Sequence, residues 1–315
     1  DLHPGYHTRN WAEDHAAHHD LPLALVQHHH AHVAAVMVDH GVPARERVLG
    51  FAFDGTGYGD DGAIWGGEVL VAGYGGYERA AHLAYVSLPG GDRAVRKPYR
   101  SALAHLRAAG VPWTADLPPV AAAGPEERTV VARQLELGIN CVPTSSMGRL
   151  WDAVSSLAGI CQVASYEAQA PVALEAVAAA ALASLAPAEI PAYRFATSGS
   201  AIDPGPVLRA IVADVVSGRP PGAIAAGFHL AVARLVGRLA GCLAGPAGVE
   251  RVVLGGGVWQ NALLTGLVRT ELAGQGLDLL TARLVPPNDG GLALGQAAVA
   301  GYRLASSPER EGEAR

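Results

Sequence analysis

The order of the predicted elements along the sequence indicates an α/β protein with two lobes and a cleft between them. Apolar runs and alternating patterns typical of strands fill the region up to about residue 88. Helical periodicity dominates the middle of the chain, from residue 97 to residue 244. Units of strand, glycine turn and helix return after residue 250. Hydrophobic residues make up 50% of the chain, which is enough for one large core or two smaller ones.

The predicted strands are short apolar or alternating runs bounded by glycine, proline or polar residues. They cover residues 21–27, 47–53, 62–74, 77–88, 251–254 and 279–285, and we expect 62–74 to form an antiparallel hairpin. Glycine-rich turns are predicted after two of these strands. They have the sequences DGTGYG at 54–59 and GGG at 255–257.

The predicted helices carry apolar residues at helical spacing. They cover residues 28–40, 101–109, 126–137, 147–158, 171–185, 204–216, 221–244, a stretch beginning near 261, and 292–305. In the helix at 147–158, Leu150 and Val154 share one face, and Ser145 or Ser146 is placed to cap its start.

Composition excludes some classes of protein. The net charge of -6 gives no basic excess that would favour nucleic acid. Apolar stretches are broken well short of the roughly 20 residues that span a bilayer, so we expect no membrane association. The three scattered cysteines, Cys141, Cys161 and Cys242, favour a reducing and therefore cytoplasmic compartment. Because the chain begins at Asp1 without Met, we expect a piece of a longer polypeptide, with a frayed end at 306–315.

Histidines are concentrated near the start of the chain, where VQHHHAH occupies residues 26–32. On a helix His28 and His32 share a face, so both imidazoles can reach one metal ion. His29 and His30 point elsewhere. The H-x-x-x-H spacing alone does not decide between a metal site, a solvated histidine cluster and an N-terminal artefact.

Three junctions between a strand and a helix could bind phosphate or metal. Asp54 ends a buried strand before a glycine turn whose amides could hold phosphate, although a plain tight turn would look the same. The three glycines at 255–257 precede Asn261 and allow close approach of a ligand to the backbone. Asp289, within PPNDGG, could be a second carboxylate ligand or the N-cap of the last helix.

Other residues are ambiguous when taken alone. Asp152 lies at the edge of an apolar helix face, where a salt bridge is the simplest interpretation. Glu167 could be an acid in the first turn of a helix. Cys161 has no histidine with an orienting acid close in sequence, and we interpret it as a packing residue. The sequence contains no G-x-S-x-G, H-E-x-x-H, Walker A or C-x-x-C motif.

Taken together and in this order, the motifs resemble HypF-type carbamoyltransferases. The resemblance runs from near residue 1 to about residue 303, beginning with DLHP. It is carried by VQHHHAH at 26–32, FDGTGYGDDGAIWGGE at 53–68, TSSMGRLWDAV at 144–154, YEAQAPVALE at 166–175, LGGGVWQN at 254–261 and PPNDGGLALGQ at 286–296. Ala168 departs from the family pattern, because related sequences often have glycine in that loop.

The resemblance implies a fold similar to the threonylcarbamoyl-transfer enzymes, within the superfamily of acetate kinase, sugar kinases, heat-shock chaperones and actin. In that superfamily two lobes hold a nucleotide in the cleft between them. We therefore expect residues 1–110 with 285–315 to form the lobe that binds metal and phosphate. Residues 111–284 would form the helical lobe that binds adenosine.

The resemblance also implies the members of the site. A divalent metal, Fe, Zn, Mn or Mg, would be held by His28, His32, Asp54 and Asp289. The AMP or ATP moiety of carbamoyl adenylate would contact Asp54, Gly55, Thr56, Gly57, Gly148, Asp152, Glu167, Gly256, Gly257 and Asn261. The same resemblance implies transfer of the carbamoyl group to the C-terminal cysteine of the partner HypE, as a step in making the cyanide ligand of [NiFe]-hydrogenase.

Several points stay open at the level of the sequence. The two histidines expected to be free of metal, His29 and His30, are the candidates for a general base. Full HypF proteins carry an acylphosphatase domain, zinc-finger modules and a YrdC-like domain that forms the adenylate, and none of these is visible in this sequence. The alternative function is an O-carbamoyltransferase acting on a small hydroxylated metabolite. Transfer to tRNA is disfavoured by the acidic balance, and a docking scaffold without catalysis would be a different class of protein.

Overall fold

The computed structural model describes residues 1–306, which contain one mixed sheet of nine strands together with helices. All but the first residue of the predicted frayed end lies outside the described residues. The strands are β1 Val48–Tyr58, β2 Ile64–Gly73, β3 Gly76–Leu83, β4 Val86–Pro89, β5 Cys141–Thr144, β6 Ala196–Ser198, β7 Ala201–Asp203, β8 Arg251–Gly255 and β9 Asp278–Thr281.

The helices occupy both ends of the chain and most of its middle. They are α1 His7–His19, α2 His28–Asp39, α3 Asp92–Arg96, α4 Pro98–Ala108, α5 Pro118–Leu137, α6 Met147–Leu157, α7 Gln169–Ser184, α8 Gly205–Val216, α9 Pro221–Ala247, α10 Ala262–Leu272 and α11 Leu292–Ala305. The predicted α/β class is confirmed.

The neighbours of β1 run in opposite directions, since β2 is antiparallel to it and β8 is parallel to it. The strand order is β6-β7-β3-β2-β1-β8-β9, and β5 pairs with both β2 and β4. Strands β1, β2 and β3 are antiparallel, whereas β1, β8 and β9 are parallel. Strand β1 is therefore central, and the polar residues at its end lie beside the end of β8.

Both faces of β1 are buried, because alternate side chains enter two different hydrophobic clusters. Leu49, Phe51 and Phe53 belong to the larger cluster, which includes residues of α4, α6 and α9. Val48 and Ala52 belong to a smaller cluster with residues of α2 and α11. The assignment of these layers to two lobes stays a prediction.

Four local predictions are wrong. Residues 62–74 do not form a hairpin of their own, because 64–73 are the single strand β2, which pairs with β1 and β3. Residues 21–27 form no strand, because Leu21 and Leu23 are exposed and Pro22 offers no backbone N–H for pairing. The glycine turn begins at Gly59 rather than at residue 54, since β1 continues to Tyr58 through an irregularity between Phe53 and Gly57. The last strand, β9, ends at Thr281 instead of continuing to residue 285.

Within residues 1–306, one helix, α9, meets the length and hydropathy that a membrane span requires. Its most apolar window is 83% buried inside the protein. Core helices of globular proteins have the same composition, so this single helix is weak evidence for a membrane span.

Helices α2 and α11 pack with almost no space between their backbones. A methyl group added at Gly295 of α11 would lie 1.8 Å from the carbonyl oxygen of Ala31. Gly301, on the same helix, has nothing within 4 Å of the same added atom. The two glycines therefore offer a matched pair, in which only one substitution disturbs the helix contact.

We predict that Gly295→Ala lowers the free energy of unfolding by about 1–3 kcal/mol, because α2 and α11 must separate to accept the methyl group. The control Gly301→Ala should raise it by roughly 0.5–1 kcal/mol, since alanine favours an open helix position. Urea denaturation of both variants measures the difference. Equal effects of the two substitutions would show that the close contact does not limit stability.

Candidate metal centre and adjoining cavity

Two histidines at the start of α2 lie close together on one face of the helix. The Gln27 side chain caps this helix by accepting a hydrogen bond of 2.8 Å from the backbone N–H of His30. His28 and His32, four residues apart, then lie on the same face with their Nε2 atoms 3.1 Å apart. Both side chains are buried.

Two carboxylates from distant parts of the chain reach the same point. Asp54 Oδ2 lies 3.2 Å from His28 Nε2 and 3.5 Å from His32 Nε2. Asp289 Oδ1 lies 3.5 Å and 3.4 Å from the same two nitrogens. One ligand atom from each of the four residues falls within 4.8 Å of every other. Two imidazoles and two carboxylates form a donor set that fits Fe(II), Zn or Mn, and that Mg can also use with phosphate oxygens.

The histidines and carboxylates of the cluster shift one another's pKa values. Burial disfavours the charged form of His28, but its hydrogen bonds to Asp289 and Asp54 outweigh this and raise its pKa to about 9. The same competition raises the pKa of His32. Burial of Asp54 is likewise outweighed by the two histidines, which hold its pKa well below the usual range. Hydrogen bonds from the histidines also lower the pKa of Asp289.

An outer carboxylate supports this cluster. Asp1 Oδ2 lies 2.7 Å from Nδ1 of His28, the ring nitrogen that faces away from Asp54. A carboxylate on the second nitrogen of a ligating histidine fixes its tautomer and orientation. The only signal of this role in the sequence was the DLHP motif, and composition or spacing alone could not have found it.

A cavity of about 720 Å³ opens beside the cluster. It is lined by seven of the predicted nucleotide contacts and by the predicted metal ligand Asp289. These contacts are Asp54, Gly55, Thr56, Gly148, Glu167, Gly257 and Asn261. The structure therefore brings the ends of β1 and β8, the start of α6 and the loop before α7 around one space.

Three predicted nucleotide contacts do not line this cavity. A methyl group at Gly57 would meet the rings of His28 and His29, and one at Gly256 would meet the backbone of Phe53. Both glycines thus allow close packing behind the site. Asp152 is buried and forms an ion pair of 2.7 Å with Arg149.

The candidate bases His29 and His30 are not at the cavity either. Both rings are buried, and His30 Nε2 lies 2.7 Å from the carbonyl oxygen of Gly73. His29 Nδ1 lies 3.1 Å from Gln27 Nε2. Burial lowers the pKa of both imidazoles. Among the described residues that line the cavity there is no histidine.

Several residues of the cavity wall were missed by the sequence analysis. They are Tyr6, Val95, Arg149, Trp151, Pro171, Val172, Glu175, Val258, Gln260 and Asn288. The clearest missed signal is Arg149, a charged residue within the apolar face of α6. Arginine is rarely buried without a partner, so its position inside SMGRLWDAV could have been noticed.

Asn261 is held in a fixed orientation at the cavity wall. Its Oδ1 accepts a hydrogen bond of 2.7 Å from the backbone N–H of Leu264, which caps α10. Its Nδ2 lies 3.0 Å from Nε2 of His229, whose Nδ1 lies 2.8 Å from the carbonyl oxygen of Ala225. Burial lowers the pKa of His229 to about 4, so the ring is neutral and Nε2 accepts. The sequence indicated Asn261 but not its histidine partner.

Ala168 lies in the left-handed region, with φ 61° and ψ 15°, as the N-cap of α7. This conformation disfavours residues with a Cβ and favours glycine at this position. Ala168 lines the cavity. Its methyl group therefore makes this backbone conformation less favourable and also occupies part of the cavity.

Metal binding should release protons at pH 7. Because the pKa of His28 is about 9 without metal, this ring is protonated at pH 7 and must lose its proton to become a ligand. Affinity for Mn²⁺ or Zn²⁺ should therefore rise from pH 7 towards pH 9. Calorimetry in two buffers of different ionisation enthalpy measures the release. Heats independent of the buffer, or unchanged affinity in His28→Ala, would contradict this metal site.

Ala168→Gly should raise the free energy of unfolding by about 1 kcal/mol, because it relieves the left-handed strain. Thermal denaturation measures the change. Ala158→Gly, at the C-terminal end of α6 with φ -73°, is the control and should be destabilising. A loss of stability in Ala168→Gly would show that the conformation is not strained.

Comparison with known proteins agrees with the motifs. A family model described as "Carbamoyltransferase, Kae1-like Domain, second subdomain" matches residues 50–296, and the "HypF Kae1-like domain" matches residues 1–39. The carbamoyltransferase HypF of Rhodobacter capsulatus is 40% identical over 98% of this chain and 39% of its own length. A HypF homologue of Cupriavidus necator is 40% identical over 95% of this chain and 76% of its own length.

Solved structures show the same relation. A full-length HypF in a phosphate- and nucleotide-bound form matches with a TM-score of 0.86 and 35% identity, over 98% of this chain and 46% of that one. The HypF of T. kodakarensis matches with a TM-score of 0.85 and 34% identity, over 97% of this chain and 40% of that one. The chain spans about two fifths of the length of the Rhodobacter capsulatus relative. It belongs to the HypF carbamoyltransferase family.

Proposed function

We propose that this chain transfers a carbamoyl group from carbamoyl adenylate to the C-terminal cysteine thiol of HypE during maturation of [NiFe]-hydrogenase. The observation that carries the proposal is the cavity in which Asp54 and Asp289, the two carboxylates of the four-residue cluster, face the same space as Gly55, Gly148 and Gly257. Glycines let a phosphate approach the backbone closely, and the cluster provides charge next to it. The family membership supplies the reaction class.

The geometry supports distinct roles for the two ends of the cavity. His28, His32, Asp54 and Asp289 would hold the cation, which supplies Lewis-acid stabilisation of oxygens on which charge develops. Phosphate would approach the backbone at Gly55 and Gly257, where no side chain stands in the way. Glu167, which lines the cavity near the start of α7, would face the ribose hydroxyls. A contact between Asp152 and the ribose stays a prediction, because this carboxylate does not line the cavity.

The reaction needs no nucleophilic side chain from this chain. The acceptor thiolate forms a bond between sulfur and the carbamoyl carbon, the bond from that carbon to the phosphate oxygen breaks, and AMP leaves. The thiol proton is lost to solvent or buffer. Consistent with this, Cys161 is buried, and burial raises the pKa of its thiol. The adenylate would come from a YrdC-like domain outside this chain.

The test is intact-mass spectrometry of the acceptor. This chain is mixed with ATP, carbamoyl phosphate, Mn²⁺, a separately supplied adenylate-forming domain and HypE, with parallel reactions offering an aminoglycoside or tRNA. We expect a carbamoyl adduct on the tail cysteine of HypE, lost in Asp289→Ala and retained in the control Asp116→Ala. Asp116 is exposed on a loop away from the cluster, so its removal tests for a non-specific effect of losing a carboxylate.

Other outcomes would replace the proposal. An adduct on the aminoglycoside alone would indicate an O-carbamoyltransferase. Equal transfer by Asp289→Ala and the unmodified chain would exclude a role for the cluster in the reaction. Nucleotide binding without any adduct would favour a docking function.

A further inference from the structure

Buried polar atoms without hydrogen-bond partners are concentrated on one helix beside the cavity. Eight such side-chain atoms occur in the described residues, and five of them belong to α6. These five are Nε and Nη1 of Arg149, Nε1 of Trp151, Oδ2 of Asp152 and Oγ of Ser155. Buried polar groups are nearly always paired. Of these residues Arg149 and Trp151 line the cavity, whereas Asp152 and Ser155 do not, so a ligand in the cavity could contact only the first two.

Arg149 is the member of this group that faces the cavity with a charge. Only 7% of the residue is exposed, and it lines the cavity together with Trp151. Nη2 lies over the backbone of Gly55, where an added methyl group would be 3.1 Å from it. The guanidinium is therefore next to the residue that follows the predicted metal ligand Asp54.

The position of Arg149 is fixed by the start of α6. Ser146 caps this helix by accepting a hydrogen bond of 3.1 Å from the backbone N–H of Arg149. The same Oγ lies 2.8 Å from the carbonyl oxygens of Asp54 and Gly55. The positive end of an 11-residue helix and the guanidinium thus lie beside the same short stretch of backbone.

Asp152 is the ion-pair partner of Arg149 on the same helix. Its Oδ2 is 2.7 Å from Nη1, yet neither atom has an aligned hydrogen bond. Burial outweighs the guanidinium and raises the pKa of this carboxyl to about 6. The ion pair engages Nη1, whereas Nη2 lies beside Gly55, so Nη2 is the donor placed to meet a further anion there.

We propose that Arg149 binds the phosphate group of the nucleotide, on the side of the cavity formed by Gly55. This inference deepens the proposed function and rests on it. A guanidinium only donates hydrogen bonds, and its planar fork matches two phosphate oxygens better than a neutral carbamoyl or ribose oxygen. A glycine beneath it leaves space for the phosphate to reach both the guanidinium and the backbone.

The test compares AMP with adenosine, which differ only in the phosphate. Affinities of both ligands are measured by calorimetry at one Mn²⁺ concentration, for the unmodified chain, Arg149→Gln and Arg149→Lys. We expect Arg149→Gln to weaken the affinity for AMP about 10- to 100-fold. Its affinity for adenosine should stay within about twofold of that of the unmodified chain. Arg149→Lys keeps the positive charge but lacks the planar guanidinium, so its loss of affinity for AMP should be intermediate.

The control is Arg133→Gln. Arg133 is exposed and pairs with Glu136 on α5, so neither affinity should change. Thermal denaturation of each variant checks that it folds, and Arg149→Lys remains informative if Arg149→Gln does not.

Three results would overturn the inference. Equal losses of affinity for AMP and adenosine would show that Arg149 only supports the structure of the cavity wall. An unchanged affinity for AMP would show that Arg149 does not contact the nucleotide. Both leave the proposed function standing, because the unmodified chain still binds nucleotide. Failure of the unmodified chain to bind either ligand would instead remove the nucleotide site itself.

Discussion

The contact of α2 with its neighbours is the steric constraint on which the site depends. The helix lies so close to β1, β8 and α11 that side chains are excluded from the facing backbone. Gly57 of β1 lies under the imidazoles, and Gly255 of β8 lies under the carbonyl of His32. Gly295 of α11 closes the third side against Ala31. Two histidines are thereby placed on rigid elements rather than on a loop, which is what a preorganised metal site requires.

The same close packing creates the electrostatic character of the site. Two imidazoles and two carboxylates have ligand atoms within 4.8 Å of one another, and three of the four residues are buried. Burial of such charges is costly unless they compensate one another. Protonation of His28 beside the carboxylates provides that compensation, with the pKa of His28 raised and that of Asp54 lowered. A cation bound by these residues would replace the protons, so metal binding and protonation would compete for the same four atoms.

The sequence predicted the parts of this arrangement that are local. Helical periodicity located α2, and the four-residue spacing put His28 and His32 on one face. Local patterns could not predict that Asp54 and Asp289, which are far apart in the sequence, lie at that face. Only the family resemblance predicted this. Glycine-rich sequence at 54–59 predicted a turn, whereas pairing with β2 keeps β1 extended to Tyr58. Arg149 and His229 were missed because each acts through tertiary neighbours that no local pattern reveals.

The walls of the cavity converge on two residues of β1, and this convergence sets how a ligand can be held. Ser146 ties α6 to the carbonyls of Asp54 and Gly55. Gly257 ties the loop after β8 to Oδ1 of Asp54 through a hydrogen bond of 3.0 Å. The four-residue cluster and the guanidinium of Arg149 are therefore both anchored to the same short stretch of backbone. A phosphate-bearing ligand that bridged them would meet groups already in place, so little ordering would be needed on binding.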